Sequence, residues 1–556
     1  MEKNRFKTPN AAHIFRNKYA ISEADSWDNL ALRVVDSVCG TAGGTMPRLL
    51  DKDSCSQLAE YIKEMKFIPG GRYLYYAGRP AKYYNNCFLL RGEEDTREEW
   101  ASLAQRATSC LMTGGGIGVD YSRFRPSGRL LSRTGGKASG PIPLMYLIDS
   151  VGTNVMQGGS RRSAIYASLN WAHEDAPMFL GIKNWNNMSI PGSGITIGDA
   201  KRADFNYKAP LDMTNISLNY DDAWLNTPNR HLHPTFLANV RQAMETGEPG
   251  FSFNFGDKQD ETLRNACTEV TSADDSDVCN LGSVNIGAIS SLEEFRDVVQ
   301  LASKFLVCGT IRADLPYDKV KAVREKNRRL GLGLMGMHEW LLRRGKKYDV
   351  DEELHTWLAV YKEESEKAAN EHCDRLYLSK PVAYRAIAPT GSIGILASTT
   401  TGIEPLYAVA TKRRYLKEGT EWHYEYVIDA TAKSIVEQTG CNPETIESAI
   451  DLAYDYERRM RFQADVQDYV DMSISSTLNL PSWGSDANNE SRVIEVAETL
   501  SRYAPRLRGF TCYPDGSRGG QPLTSVPYGE ALSQEGIVFK ENDICEISGK
   551  GGVCGS

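Results

Sequence analysis

"RNACTEV", residues 264–270, places three polar groups at every second position: the amide of Asn265, the thiol of Cys267 and the carboxyl of Glu269. Side chains at alternate positions share one face of an extended segment, so we expect these three groups to point the same way. A glutamate buried beside a thiol is costly unless it has a partner or a chemical task. The stretch therefore predicts a functional site, although periodicity alone does not say which one.

The composition around this stretch is that of an ordinary globular protein, with 41% hydrophobic and 24% charged residues among 556. The net charge of −8 gives no indication of a basic surface for nucleic acid. The polar start, residues 1–22, lacks the apolar core of a signal peptide, and no apolar run approaches the roughly 20 residues of a transmembrane helix. We therefore expect a cytoplasmic protein without a membrane or nucleic-acid partner.

The chain contains 12 cysteines, which without a secretion signal do not indicate a disulfide framework. Most are expected to be buried, inert thiols, and this is the simplest interpretation of Cys87 and Cys279 taken singly. Cys545 and Cys554, near the end of the chain, are too few for a closed zinc site, which needs four ligands. No protein-bound metal is predicted.

Three regions differ in their sequence patterns. Residues 1–70 contain amphipathic helical segments. From 71 to 530, short β-rich or apolar stretches alternate with helical ones and with glycine-rich turns, which predicts an α/β domain. Residues 531–556 are polar and glycine-rich and are predicted to form a mobile tail.

Two glycine-containing stretches are candidates for ligand contact. "TGGGIG", residues 113–118, is followed by β-like sequence instead of a helix, so close approach of the backbone to a ligand or strand is favoured over a dinucleotide loop. "APTGSIGIL", residues 388–396, predicts a turn opening a helix, where free N–H groups and hydroxyls suit a phosphate. An ordinary capped helix start explains that second stretch equally well.

Taken together, these stretches resemble the catalytic subunit of ribonucleotide reductase from about residue 65 onward. The Asn-x-Cys-x-Glu pattern, "GGGIG" with the following Arg-x-Arg, "QGGSRR" (157–162), "RRLGLGLMG" (328–336) and "PTGSIG" occur in the family's order. The resemblance implies a ten-stranded α/β barrel of two five-stranded halves with a loop threading its centre, preceded here by the N-terminal helical region. It also implies that Cys267 lies at the tip of that loop.

The resemblance assigns a radical reaction to the loop. Cys267 would become a thiyl radical and take hydrogen from the ribose 3′ carbon, converting a ribonucleotide to a 2′-deoxyribonucleotide. Glu269 would act as base toward the 3′ hydroxyl, which a carboxylate within hydrogen-bond reach can do. Asn265 would hold the substrate by hydrogen bonds.

The resemblance also assigns two redox pairs. Cys87 and Cys279 would face each other across the site and end as a disulfide when the 2′ hydroxyl leaves as water. Cys545 and Cys554 on the tail would reduce that disulfide by thiol exchange and be reduced in turn by a thioredoxin-like or glutaredoxin-like protein.

Two nucleotide sites follow from the same resemblance. A nucleoside triphosphate effector at one site would alter substrate choice at the other through the "QGGSRR" loop, a coupling that is reciprocal in binding free energy. A solvated loop is the alternative interpretation of that stretch. The substrate, a ribonucleoside di- or triphosphate, would contact Asn86, Gly116, Pro389, Thr390, Gly391 and Ser392. The effector, a dNTP or ATP, would contact Asp95, Thr96, Arg97, Arg125, Arg161 and Arg162.

The source of the radical divides this family into three classes. The tail lacks the glycyl-radical pattern, and Thr511, Cys512 and Tyr513 stand where the oxygen-dependent class has a tyrosine pair. "DMSISSTLNLP" (471–481) and "YPDGSR" (513–518) resemble the adenosylcobalamin-dependent class II, which needs no histidine on the cobalt. The alternative is the catalytic subunit of an oxygen-dependent class I enzyme with a ferritin-like partner.

The chain also departs from the larger relatives. We expect no dATP shut-off, because there is no room for the N-terminal ATP-binding cone. The short spacing between Cys87 and Gly114 favours a homodimer over a monomer. The compact size would suit a phage-encoded enzyme acting in the host cytoplasm.

Overall fold

The structure is a computed structural model that describes residues 5–132, 134–155, 164–204, 207–417, 421–517 and 523–540. Its strands are β1 (Phe67–Pro69), β2 (Cys87–Arg91), β3 (Gly116–Asp120), β4 (Ile165–Asn170), β5 (Thr214–Tyr220), β6 (Gly250–Phe253), β7 (Leu263–Arg264), β8 (Thr271–Ser272), β9 (Asp277–Asn285), β10 (Leu330–Met335), β11 (Ala410–Lys417), β12 (Glu421–Ile428), β13 (Thr477–Leu480), β14 (Gly509–Pro514), β15 (Leu523–Ser525) and β16 (Val538–Lys540).

The helices are α1 (Pro9–Ile14), α2 (Trp27–Val38), α3 (Lys52–Lys63), α4 (Gly71–Tyr76), α5 (Arg97–Met112), α6 (Ile142–Asn154), α7 (Ala176–Gly181), α8 (Ile197–Ala203), α9 (Asp222–Leu225), α10 (Pro234–Thr246), α11 (Leu292–Arg312), α12 (Asp318–Asn327), α13 (Met337–Arg343), α14 (Glu352–Arg375), α15 (Gly391–Ala397), α16 (Ala430–Thr439), α17 (Ala449–Leu452), α18 (Tyr456–Gln467), α19 (Val493–Tyr503) and α20 (Tyr528–Ser533). A π-helical turn, Phe15–Tyr19, follows α1 directly.

The first half of the barrel consists of five parallel strands. β2, β3, β4, β5 and β6 pair in that order. Helices cover their outer face, so both faces are buried and strands such as β3 read as continuous buried runs. Along β4, Ile165, Ala167 and Leu169 point into the helical layer. The alternate positions therefore face the barrel interior.

The second half has the same arrangement and closes the barrel. β9 pairs with β10 in parallel, and parallel bridges join Leu332 to Arg385 and Ile387 to Ile474. β13, which follows residue 474, pairs in parallel with β14. Antiparallel joints, β2 with β9 and β6 with β14, connect this half to the first. The predicted barrel of two five-stranded halves is confirmed.

A short hairpin, β7 paired with β8, lies inside the barrel. We call residues 263–272 the finger loop. It crosses strand β3 closely: a Cβ added at Gly118 would lie 1.6 Å from the carbonyl oxygen of Arg264. Only glycine at position 118 leaves room for the finger loop at this depth.

The N-terminal helices pack on the second half of the barrel. Trp27 and Leu30 of α2 belong to one apolar core with Val284 of β9, and α11 packs along α14 in the same core. Before α2, helix α1 packs against α15. Within its described residues, the predicted N-terminal helical region, 1–70, thus shares an apolar core with the barrel.

A separate four-stranded sheet forms near the end of the described chain, in the order β15, β11, β12, β16. The end of helix α20 and the whole of strand β16 lie within residues 531–540 of the segment predicted as a mobile tail, 531–556. The rest of that tail, with Cys545 and Cys554, lies outside the described residues. Within the described ranges, none of the helices combines the length and the apolar character that crossing a membrane requires.

Candidate active site

The tip of the finger loop is a turn, so the extended conformation expected for residues 264–270 is wrong. The backbone N–H of Thr268 donates to the carbonyl of Asn265 at 2.9 Å, and Thr268 has a φ of +72°. The side-chain oxygen of Asn265 accepts from the N–H of Val270 at 2.9 Å, which ties the two ends of the turn together. A local side-chain bond to the backbone thus replaces the pairing of an extended strand.

The turn still gathers the three predicted groups at one place. Cys267 is half-buried and lines a cavity in the barrel together with Glu269. Asn265 is fully buried behind the cavity wall, where its Nδ2 lies 3.4 Å from Cys87 Sγ. Its side chain also hydrogen-bonds Glu269. Asn265 therefore connects the Cys87 thiol to the Glu269 carboxyl.

Glu269 has the setting of a proton-transfer group. It is 1% exposed, and within the described part of the chain no group hydrogen-bonds its Oε2. Burial raises the pKa of Glu269 to about 7, against the opposing effect of the Asn265 hydrogen bond. A carboxyl with a pKa near neutrality can both take and return a proton.

Cys87 and Cys279 face each other directly across the joint between the two half-barrels, as register partners on β2 and β9. Directly opposed residues on antiparallel strands have Cα atoms about 4.5–5.5 Å apart, a separation that a disulfide can span. Both are buried, and burial raises the pKa of Cys279 well above its usual value. Cys87 lines the cavity, whereas Cys279 lies just behind it against Gly331.

The predicted substrate residues all line this same cavity: Asn86, Gly116, Pro389, Thr390, Gly391 and Ser392. Thr390 has a φ of +50° and precedes α15. Its hydroxyl oxygen accepts from the N–H of Gly402 at 2.9 Å, which fixes the turn. Nothing lies within 4 Å of a Cβ built on Gly391, so that side of the turn is open to a ligand.

Several cavity residues were not predicted from the sequence. Lys18 and Tyr19 reach the cavity from the N-terminal π-helical turn, and Arg72, Tyr75 and Tyr76 reach it from α4. Nothing in the stretch "PGGRYLYYAG" (69–78) or in the polar N-terminus marks these side chains as ligand contacts. Only chain folding over hundreds of residues brings them to the finger loop.

The predicted effector residues lie apart from the cavity. Arg125 Nε forms an ion pair with the Asp95 carboxylate at 2.5 Å. Thr96 caps the start of α5, and Arg97 is largely exposed. Arg161 and Arg162 lie outside the described residues. Asp95 and Arg125 are therefore brought together, beside the cap of α5.

Strand β14 carries the residues that stand in place of the expected tyrosine pair. Cys512 Sγ donates to the carbonyl of Ala243 and belongs to the outer apolar layer. Thr511 and Tyr513 alternate with it and therefore lie on the inner face of the strand. Among the described residues, no group of three or more His, Cys, Asp or Glu side chains is placed to hold a metal ion.

The barrel is closed, and its central loop brings a thiol and a carboxyl into one cavity beside two opposed thiols. This arrangement is that of a barrel enzyme whose chemistry uses cysteine thiols. A family model described as "Ribonucleotide reductase, barrel domain" matches residues 85–216, 236–368 and 382–504. The chain belongs to the ribonucleotide reductase family.

The individual relatives share only a modest fraction of identical residues with this chain. A "vitamin B12-dependent ribonucleoside-diphosphate reductase" of Mycobacterium tuberculosis (strain CDC 1551 / Oshkosh) is 27% identical over 87% of this chain and 75% of that protein. A "putative adenosylcobalamin-dependent ribonucleoside-triphosphate reductase" of Mycobacterium phage D29 is 26% identical over 75% of this chain and 67% of that one. The solved "Actinobacillus ureae class Id ribonucleotide reductase alpha subunit" has a TM-score of 0.68 and 16% identity, covering 92% of this chain and 97% of its own, and shows the fold.

Proposed function

We propose that this protein is an adenosylcobalamin-dependent ribonucleotide reductase, which converts ribonucleotides to 2′-deoxyribonucleotides through a thiyl radical on Cys267. The observation that carries the proposal is the convergence of Cys267, Glu269, Cys87 and the 389–392 turn on one cavity, with Cys279 opposite Cys87. The relatives named for vitamin B12 or adenosylcobalamin support the choice of cofactor.

The side chains divide the reaction among them. Cys267 would exchange a hydrogen atom with the ribose 3′ carbon, and Glu269 would take the proton of the 3′ hydroxyl. Its pKa of about 7 keeps a fraction of the carboxyl ionised near neutral pH. Cys87 and Cys279 would give up two electrons and two protons in forming a disulfide, while the 2′ hydroxyl leaves as water.

Glycine and tyrosine residues line the cavity wall near Cys267. The wall includes Gly114 and Gly116, and a Cβ added at Gly116 would lie 3.3 Å from Cys87 Sγ. Tyr75 and Tyr76 line the same cavity. When bound, adenosylcobalamin would supply the radical chemistry, while the protein orients the reacting groups and excludes water.

The second candidate is the catalytic subunit of an oxygen-dependent reductase, which would need a ferritin-like partner. Tyr513 on the inner face of β14 is the observation that favours it. One tyrosine stands there in place of a pair, which argues against radical transfer from a partner. Tyr513→Phe should leave most of the activity of a cobalamin-dependent enzyme and abolish that of the alternative.

Further parts of the proposal concern partners. We propose that Cys545 and Cys554 pass electrons from a thioredoxin-like or glutaredoxin-like protein, and that a dNTP or ATP effector binds near Asp95 and Arg125. We also propose a homodimer acting in the cytoplasm, or in a host cytoplasm if the enzyme is phage-encoded. Sedimentation as a monomer with effector bound would contradict the dimer.

The decisive experiment is an assay of the purified chain with adenosylcobalamin, a dithiol and CDP or CTP. Deoxycytidine nucleotide should form without any second subunit, and Cys267→Ser should form none under identical conditions. Absence of product from the wild-type chain, with product appearing only when a metal-containing subunit is added, would favour the second candidate.

A further inference from the structure

Two cationic side chains line the substrate cavity within the described part of the chain, and they differ in what they do. Arg72 is 8% exposed, and its guanidinium donates to the carbonyls of Tyr83 and Thr113 at 2.8 and 2.6 Å. Arg72 is therefore held by the protein backbone. Lys18 is exposed, and its Nζ donates to the hydroxyl of Ser392 at 2.8 Å.

The contact between Lys18 and Ser392 joins positions 374 residues apart. Ser392 belongs to the turn proposed above to hold the substrate phosphates. A lysine ammonium carries three N–H donors, so it can contact a hydroxyl and a phosphate oxygen in the same cavity. The ammonium group thus lies beside the place where the phosphates would sit.

The neighbours of Lys18 hold it at this place. Tyr19 is 1% exposed, and its hydroxyl packs against Gly71, where an added Cβ would lie 2.9 Å away. Phe15, one helical turn earlier, stacks edge-on against Trp27 in the apolar core. The π-helical turn between these two anchors therefore presents Lys18 to the cavity from a fixed backbone.

We propose that Lys18 is a substrate-binding residue that pairs with the terminal phosphate of the bound ribonucleotide, so that the N-terminal segment 5–20 forms part of the substrate site. The inference rests on the proposed function, since it requires the 389–392 turn to hold phosphates. A hydrogen bond between an ammonium group and a phosphate is charge-assisted and stronger than the resting bond to a neutral hydroxyl.

The test is direct nucleotide binding, measured without cobalamin or turnover. Equilibrium dialysis with labelled CDP, CTP and CMP compares the wild-type chain with Lys18→Met, which keeps the apolar stem but removes the charge. We expect Lys18→Met to raise the Kd for CDP or CTP by about tenfold, the size of one charge-assisted hydrogen bond. Binding of CMP, which lacks the terminal phosphate, should change less than twofold. Whichever of CDP and CTP shows the larger rise in Kd in Lys18→Met is the nucleotide whose terminal phosphate reaches Lys18.

Two matched variants separate charge from structure. Lys18→Arg should restore most of the CDP affinity, and Lys7→Met should leave it unchanged, because Lys7 lies in the same segment but outside the cavity lining. Raising the salt concentration should weaken CDP binding by wild type more steeply than by Lys18→Met. In turnover assays the Lys18→Met defect should appear in KM, with kcat nearly unchanged.

Two results would overturn the inference. One is a Kd for both polyphosphates within twofold of wild type in Lys18→Met; the other is an equal loss for CMP, which would indicate a structural defect. In either case wild-type binding of CDP leaves the proposed function standing. If the wild-type chain binds no ribonucleotide at all, the proposed function itself fails.

Discussion

Two groups of thiols in this protein have the same chemistry and opposite surroundings. The pocket thiols, Cys87, Cys267 and Cys279, lie at or just behind the wall of the barrel cavity. The core thiols, Cys39 and Cys308, are fully buried between the N-terminal helices and α11. Taken singly, without the family resemblance, Cys87 and Cys279 have the same interpretation as the core thiols, that of buried cysteines.

The core thiols have the more polarised setting of the two groups. Cys308 Sγ lies 3.3 Å from His372 Nε2, and Cys39 hydrogen-bonds Cys308. Burial raises the pKa of Cys39 well above its usual value, whereas the pKa of Cys308 is lowered by its bonds to Cys39 and His372 in spite of burial. An acidic thiol is therefore not by itself a functional one; access to a ligand cavity separates the groups.

The largest expected effect comes from Cys267→Ser. A serine hydroxyl does not form the radical that a thiol forms, so turnover should fall below detection while CDP binding persists. Cys308→Ser is the matched control, and its turnover per folded molecule should equal that of wild type. Deoxynucleotide formation by Cys267→Ser would contradict the assigned role of Cys267. Loss of deoxynucleotide formation in Cys308→Ser would show that a core thiol is needed for turnover.

Glu269→Gln should cost about 10²- to 10⁴-fold in kcat, the usual contribution of a positioned acid or base. Because the pKa of Glu269 is raised to about 7, wild-type kcat/KM should rise with pH up to about 7 and then level off. The amide does not titrate, so the residual activity of Glu269→Gln should lack this step. A step of equal size in the variant would assign it to another group.

The same pKa predicts the pH dependence of stability. Folded Glu269 keeps a proton that the unfolded chain releases at its ordinary pKa of 4.5. Its contribution to the free energy of unfolding is therefore fully present below about pH 4.5 and is lost as the pH rises through about 7. Chemical denaturation at several pH values should show wild type losing more stability over this interval than Glu269→Gln.

Gly118→Ala tests what places Cys267 among the pocket thiols. The added Cβ would meet the Arg264 carbonyl, so the finger loop must move. A displacement of about 1 Å can cost about 100-fold in rate, and we expect a loss of that size in kcat. Gly181→Ala, where nothing lies within 4 Å of the new Cβ, is the control and should retain activity. Full activity in Gly118→Ala would show that β3 does not fix the finger loop.

Substitution of a core thiol is expected to have no effect on catalysis. It should instead lower the stability of the fold. Cys308→Ser replaces a sulfur bonded to His372 with a smaller group in a sealed site, which should lower the free energy of unfolding by about 1–3 kcal/mol. Urea denaturation measures this loss. Cys441→Ser, at a half-buried position, should cost less than Cys308→Ser.

The spacing of the three polar groups and the conformation of their backbone had different outcomes. Asn265, Cys267 and Glu269 were identified by spacing, yet the expected extended segment is a turn held by Asn265 and Val270. A period-two pattern does not distinguish a strand from a loop whose side chains bond their own backbone. The fold followed from the resemblance, because alternating apolar stretches and glycine-rich turns are typical of many α/β domains.

The residue types and their order along the chain are fixed by the sequence: the Asn-x-Cys-x-Glu stretch, two further thiols, and a turn with hydroxyls. These were enough to identify the family and its chemistry. That Lys18 from the N-terminal segment reaches Ser392, and that Asn265 lies against Cys87, was decided by the tertiary structure alone. The reason is physical, because contacts between residues hundreds of positions apart depend on how strands and helices pack. The local sequence pattern does not specify which residues meet across the barrel.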